Sequence, residues 1–508
     1  MNSLSAFLAV IVCSIVHTKS YGHTKTDCMR IEVGAVIDTI VKPTQINAEA
    51  ISCVTYNDEY EERHIQELLS FLAIRSISSL PSHDTDMVRA ADWLSQKLKS
   101  IGMVSTQIVP TNGHPVVVSH WNNAKGKPTV LIYGHYDVQP VNENEWDSPP
   151  FTGKSQNGRI YGRGAADDKG GILIPVWAVE NILKKTGSLP VNVIFVFDGE
   201  EEIGSPHFIE FLQQHKHELQ ADFAYNADAV QYNDSIPTIW MSLRGSVALE
   251  FTVKTADIDA HSGIYGGKIP NAAKAAAQII ASFYGPDNKI AIQGFYHRVL
   301  PVTTAERESV NKVPYDQGKD KKDLGTTTEI GEEDFSALER IWYRPTLEVT
   351  GMWSGYTASE GFANIIPGSA HVRLNCRLVA NQNGQEIVLL LKKHIAKHCP
   401  KGATVIYKEV RAHAAPIKFS STEASFKHAY ETLTKIYDRP PLLTAVGGSI
   451  AALTHIKEIL GLNAYSFGFQ QTDENFHAPN EFIRLSDIKK GQKAYCMLLM
   501  SIGNAGIK

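Results

Sequence analysis

The 508-residue chain has no excess of basic charge, 49 Lys and Arg standing against 54 Asp and Glu for a net charge of −5. Nucleic acid is therefore not an expected partner. Its six cysteines, Cys13, Cys28, Cys53, Cys376, Cys399 and Cys496, contain no CxxC pair, which argues against a thiolate zinc site. After the N-terminus no apolar run is long enough for a transmembrane helix, so no membrane anchor is expected in the mature chain. No G-x-x-x-x-G-K-[ST] loop occurs, and no GxGxxG follows a strand, which removes the common phosphate cradles. Internal repeats and low-complexity tracts are absent too. What remains is an ordinary globular composition, 43% hydrophobic and 20% charged. Its length calls for two domains, or one large domain with an insertion.

The N-terminus differs from the rest. Residues 4–16 form an uncharged stretch of Ala, Val, Ile and Leu, too short to span a bilayer but suited to the apolar region of a secretory signal. Ser20 and Gly22 are small residues placed for a cut after Gly22, although no Lys or Arg precedes the apolar run. The expectation is a signal peptide over 1–22 and a secreted or periplasmic protein, or a cytoplasmic one if the segment is retained as a buried helix. Under export, Cys28 and Cys53 could pair, and the sequon at Asn233 could be glycosylated.

From about residue 58 the pattern becomes regular. Residues 61–73 and 86–101 carry helical periodicity. Two apolar runs, 129–133 and 191–197, read as buried parallel strands. Helices at 172–185 and 208–217 alternate with them, and a further strand at 221–227 ends at Asp228. This alternation predicts an α/β fold, a mostly parallel sheet with helices on both faces. Near Ser242 the texture changes to half-buried strands at 246–254, 370–378 and 403–408 with helices at 271–284 and 385–398. That change predicts an inserted α+β two-layer domain. A charged excursion at 308–333 should be exposed, and α/β texture returns after about Arg411. The expected boundaries are a leader of uncertain structure at 23–57, a first catalytic part at 58–243, an insertion at 244–411 and a second catalytic part at 412–508.

Chemistry concentrates where the apolar runs end. Gly134-His135-Tyr136-Asp137 closes the first and Asp198-Gly199-Glu200-Glu201-Glu202 the second. In an open α/β sheet, ligands collect at the C-terminal strand edge. His, Asp and Glu arriving there together are costly to assemble unless a cation neutralises them, which points to a metal-dependent hydrolase. His135 and Asp137, two apart on an extended segment, share a face, so the carboxylate can orient the imidazole. The small-residue loop Gly162–Gly171 is suited to delivering Asp167 to a cation. Of the Glu triplet, one residue can coordinate while its neighbour acts as general base. Asp228 and His477, each following an apolar strand, complete the set.

These segments, with residues 146–151, Glu201-Glu202-Ile203-Gly204-Ser205 and His261-Ser262-Gly263, resemble the M20 family of zinc metallopeptidases, specifically its carnosine-type and cytosolic nonspecific dipeptidases. The resemblance implies a zinc-exopeptidase-like catalytic domain with an inserted lid and dimerisation domain, and two divalent ions per subunit, zinc first, with manganese or cobalt as alternatives. His135 and Asp228 would bind one ion, Glu202 and His477 the other, and Asp167 would bridge them. Glu201 would be the general base acting on a metal-bridging water, and Asp137 would orient His135. The resemblance further implies that Arg377 clamps a substrate carboxylate, that Gly448 and Ser449 line its pocket, and that His261 reaches a partner's active site. Asn364 is a further implied substrate contact, standing where family dipeptidases can have Thr, and both residues can hydrogen-bond. The expected activity is hydrolysis of dipeptides by a homodimer joined through the inserted domain. The alternatives are an N-acyl-amino-acid deacylase or a carboxypeptidase of the same family, and a non-catalytic metal- or peptide-binding protein.

Overall fold

The computed structural model describes residues 58–505. The signal segment, the leader and the Cys28–Cys53 pairing lie outside these residues.

A six-stranded sheet organises the larger part of the chain. Its spatial order is Ser105–Val109, Val116–Trp121, Asn192–Asp198, Thr129–His135, Phe223–Asn226 and Ala464–Ser466. The last four run parallel; the first two are antiparallel to their neighbours and form one edge. The central strands are apolar on both faces because helices cover both. Val193 to Phe197 are all buried, and fully burying Phe195 or Phe197 is worth about 2 kcal/mol of transfer free energy each. The helix Lys169–Thr186 is buried almost all round through its first three turns. It stops at Gly187, whose φ of 71° suits glycine at a helix C-terminus. It packs against Leu485–Ala505 over the central strands, and both helices contribute to one continuous core.

The second core is separate. The antiparallel strands Thr346–Ser354, Ser369–Leu378, Gly245–Lys254 and Thr404–Ala414 form a four-stranded sheet in that order. One face packs on the helices Ala272–Ala281 and Gly384–His398, giving the expected two-layer unit. Asn271 and Asn383 cap these helices by accepting from the Lys274 and Glu386 amides. The strand Thr346–Ser354 was not anticipated, because its bulge between Val349 and Gly351 breaks a clean alternation. The charged excursion is largely exposed but contains the short helices Thr304–Asn311 and Gln317–Leu324. The first opens with a Thr303–Glu306 capping box.

Candidate metal centre and active site

The parallel strands deliver their ends to one place. His135 closes one strand, and Asp198 closes its neighbour in direct register with it. Asp137 lies two residues beyond His135 and is fully buried. Its Oδ1 accepts the Glu201 amide and its Oδ2 the Glu202 amide, both at 3.1 Å, while Ser78 donates to Oδ2 at 2.6 Å. His135 Nδ1 stands 3.3 Å from Asp137 Oδ1 and 3.1 Å from its carbonyl oxygen. One carboxylate thus orients the imidazole and fixes the acidic turn that begins at Glu201.

Asp167 lies between two imidazoles. Its Oδ1 is 3.0 Å from His135 Nε2, and its Oδ2 is 2.9 Å from His477 Nε2. On the first side Asp228 Oδ2 is 4.0 Å from His135 Nε2; on the second, Glu202 Oε2 is 3.1 Å from His477 Nε2. His135, Asp167 and Asp228 present ligand atoms within 4.8 Å of one another, and so do Asp167, Glu202 and His477. Five donors separated by up to 342 residues form two adjoining clusters that share Asp167.

The loop bearing Asp167 and the strand beneath it need their glycines. A Cβ at Gly171 would collide with Asp168 Oδ1 and Gln470 Nε2, and one at Gly134 with Ile172. Two positioning groups were missed from the sequence. Asp168 accepts the His135 amide at 3.2 Å and Gln470 Nε2 at 2.9 Å. Glu481 accepts from Arg163 Nη1 at 2.6 Å and from the amides of Gly164, Ala166 and Asp167 at 2.9–3.1 Å. The available signal was the position of Glu481 four residues past His477, and it is weak without coordinates. The residues 146–151 motif joins the same framework. Asp147 donates to Asn480 Oδ1 at 2.9 Å, and Arg163 lies over the Trp146 ring at 5.4 Å.

The electrostatics test whether the cluster suits cations. Burial and three neighbouring carboxylates push Glu201 well above the usual range, outweighing His135. Burial and the surrounding carboxylates likewise push Asp228 to about 7. Burial opposes protonation of His135, but its hydrogen bonds to Asp137 and Asp167 raise it well above the ordinary value. Hydrogen bonds to Asp167 and Glu202 raise His477 to about 10. Held on its own, the cluster draws protons onto both imidazoles and onto Glu201, Glu202 and Asp228, while burial of Asp167 is outweighed by His135 and His477, which keep it below the usual carboxylate range. Glu202 Oε1 is buried without a hydrogen-bond partner. An orphaned carboxylate oxygen beside two N and O clusters fits divalent cations. His64, Glu67 and Glu180 form a contrasting group. There Lys97 and Arg63 each reach both carboxylates within 2.9 Å, so side-chain cations already supply the neutralising charge.

The remaining site residues fall into two groups. Arg377 donates through Nη1 to Ser449 Oγ at 3.0 Å, and Gly448 accepts the Arg244 amide at 3.1 Å. These residues meet where the inserted sheet abuts the turn after Leu442–Val446. His261 and Asn364 also come together, on the ribbon pairing Ala260–His261 with Ile365–Ile366, where Ser262 donates to the Asn364 carbonyl at 2.9 Å. Both are exposed, and among the described residues no hydrogen bond or ion pair of His261 reaches the metal cluster.

Comparison with known proteins identifies the family. Residues 131–501 match the model of Peptidase family M20/M25/M40. The cysteinylglycine-S-conjugate dipeptidase of Corynebacterium striatum is 28% identical over 465 residues, covering 90% of this chain and 99% of that protein. The crystal structure of the M20 family metallo-carboxypeptidase Sso-CP2 from Sulfolobus solfataricus superposes with a TM-score of 0.78 at 31% identity, over 87% of this chain and 99% of that one. Human carnosine dipeptidase 1 shares the fold with a TM-score of 0.75 at 22% identity, over 90% and 99% of the two chains.

Proposed function

Because the chain belongs to peptidase family M20/M25/M40, we propose that this centre hydrolyses the peptide bond of dipeptides. The observation that carries the reading is Asp167 facing His135 with one oxygen and His477 with the other, beside the Glu201 carboxylate. His135, Asp167 and Asp228 would hold one divalent ion, and Asp167, Glu202 and His477 a second. Such ions polarise the scissile carbonyl and lower the pKa of water towards neutrality. The all-N and O donor set supports zinc, with manganese or cobalt able to replace it.

The protein's own groups then divide the work. Glu201 takes the proton from the attacking water and returns it to the leaving amine. Asp137 keeps His135 oriented and holds the Glu201–Glu202 turn through two amides. Arg377 and Ser449 receive the substrate carboxylate, for which a guanidinium fork is suited. His261, supplied by a second copy, donates to the developing oxyanion, a contribution of about 3 kcal/mol for one good donor. Exposed Ile258, Ile264 and Phe362 beside His261 and Asn364 support a homodimer in which another copy covers that ribbon. The two hydrophobic cores support dividing the domains near residues 243 and 411. The apolar run at 4–16 supports export of the chain, on sequence grounds alone.

A panel of dipeptides against N-acetyl and N-succinyl amino acids, with zinc or manganese present, tests the reading. Turnover confined to acylated compounds would replace it with a deacylase. A carboxypeptidase is the second reading, favoured by the 31% identity to the Sulfolobus enzyme. Longer peptides losing C-terminal residues as fast as dipeptides are cleaved would establish it.

A further inference from the structure

Three guanidinium groups and one carboxylate line a cavity of about 400 Å³ beside the Ser449 turn. Arg377 belongs to the strand Ser369–Leu378, Arg244 to the junction just before Gly245–Lys254, and Arg340 to the helix Ala337–Tyr343. Their hydrogen bonds go to uncharged acceptors. Arg377 donates to Ser449 Oγ at 3.0 Å. Arg244 donates through Nε to the Gly447 carbonyl at 2.8 Å and through Nη1 to that of Arg344 at 3.4 Å. Arg340 donates to the carbonyls of Glu332 at 3.0 Å and Ile330 at 3.2 Å. None of the three forms an ion pair with a carboxylate among the described residues. Adjacent Arg344 does, holding Glu332 at 2.7 Å, and Arg163, Arg373 and Arg484 have carboxylate partners as well.

Glu348 is the sole carboxylate in the lining, which leaves two positive charges in surplus. Burial, and then Arg377 beside it, lower Arg244 to about 10, with Glu348 pulling the other way without outweighing them. A dipeptide ending in a neutral residue brings one carboxylate and neutralises half of that surplus. Asn375 adds an amide donor to the same wall.

We propose that this cavity receives a dianionic C-terminal residue, so that the preferred substrates are dipeptides ending in Asp or Glu. The α-carboxylate rests on Arg377 and Ser449, and the side-chain carboxylate turns towards Arg244 and Arg340. This specificity rests on the dipeptidase reading above.

The test compares Ala-Glu with Ala-Gln, which differ only by a carboxylate against an amide of equal size, together with Ala-Lys. With zinc-loaded protein, kcat/KM for Ala-Glu should exceed that for Ala-Gln by about tenfold, with Ala-Lys poorest. Arg340→Gln should pull the Ala-Glu to Ala-Gln ratio towards unity. Equal kcat/KM for the two substrates overturns the proposal while leaving the dipeptidase reading intact. Equal inhibition of both reactions by inorganic phosphate, with no side-chain preference, marks a free-oxyanion site and also overturns it. If the protein turns over no dipeptide, calorimetric titration of zinc-loaded Glu201→Gln protein decides. Tighter binding of Ala-Glu than Ala-Gln upholds the cavity assignment while the dipeptidase reading falls; equal binding, or none, removes the assignment.

Discussion

Glu481 Oε1 accepts the backbone amide of Asp167 at 3.0 Å, across 314 positions of sequence. The same carboxylate takes two further amides of the loop and the Arg163 guanidinium. The loop carrying Asp167, the residue common to both clusters, is therefore fixed to the segment carrying His477. Glu481→Gln keeps the volume but turns an NH2 towards amides that need an acceptor. Zinc affinity should fall about 10–100-fold, measured by calorimetric titration. Unchanged affinity would show that the loop is held by other contacts.

Glu201 belongs to neither donor cluster, although its carboxylate is close enough to be influenced by His135, Asp228, Glu202 and Asp167. Glu201→Gln should lower kcat by about 10²–10⁴-fold while the protein still binds two equivalents of metal. Metal analysis alongside steady-state kinetics separates the outcomes. Loss of metal together with activity would make Glu201 a ligand rather than the base.

The crowded carboxylates should make stability depend on divalent ions. Metal at a hundredfold excess over its dissociation constant should raise unfolding free energy by about 2.7 kcal/mol, visible as a higher Tm. Chelation should remove both this increment and the activity, and added Zn²⁺ or Mn²⁺ should restore them. Identical melting curves with metal and with chelator would contradict the assignment of the clusters.

A separate acid-sensitive element lies away from the centre. Burial would raise Glu180, but Lys97, Lys184 and Arg63 outweigh it and hold the carboxyl at about 2 against an ordinary 4.5. The folded state thus binds this proton less readily than the unfolded chain. Its contribution is fully present above pH 4.5 and is lost as pH falls towards about 2. Lys97→Met should destabilise the protein at neutral pH by about 3 kcal/mol and flatten the loss of stability across that acid window. Parallel wild-type and variant curves below pH 4.5 would contradict the assignment to Glu180.

The His135 strand and the Asp198 strand were legible because double-sided burial leaves an unbroken apolar run, and a run ending in charge identifies the ligand edge. The five clustered residues were legible for the same reason, since four stand at or beyond the ends of such strands and Asp167 lies in the glycine loop. The antiparallel edge formed by Ser105–Val109 and Val116–Trp121 went unread, although Asn112-Gly113 between the two runs is a hairpin signature. Asp168, Gln470 and Glu481 act by hydrogen bonds to backbone amides and carbonyls, and such bonds leave no spacing rule in the chain. Arg377 was named from the resemblance alone, and its grouping with Arg244 and Arg340 was not legible for a related reason. Arg244, Arg340 and Arg377 come from three elements that only the fold brings together.

His261 supplies the last test, because its place on the exposed ribbon separates action in its own subunit from action in a neighbour. His261→Ala should lower kcat/KM by about 10²–10³-fold, the loss of one oxyanion donor, with metal binding unaffected. Glu201→Gln should be inactive for a different reason. If His261 serves the partner's centre, a mixed dimer of the two variants has one subunit with Glu201 intact and receives His261 from the other. Unfolding and refolding the variants together should then recover about a quarter of wild-type activity at random pairing, since half the dimers are mixed and each has one complete site. Size-exclusion chromatography of the refolded mixture establishes that dimers have formed. Dimers that regain nothing would show that His261 acts within its own chain or not at all, whereas a wild-type protein fully active as a monomer would remove the need for a second copy.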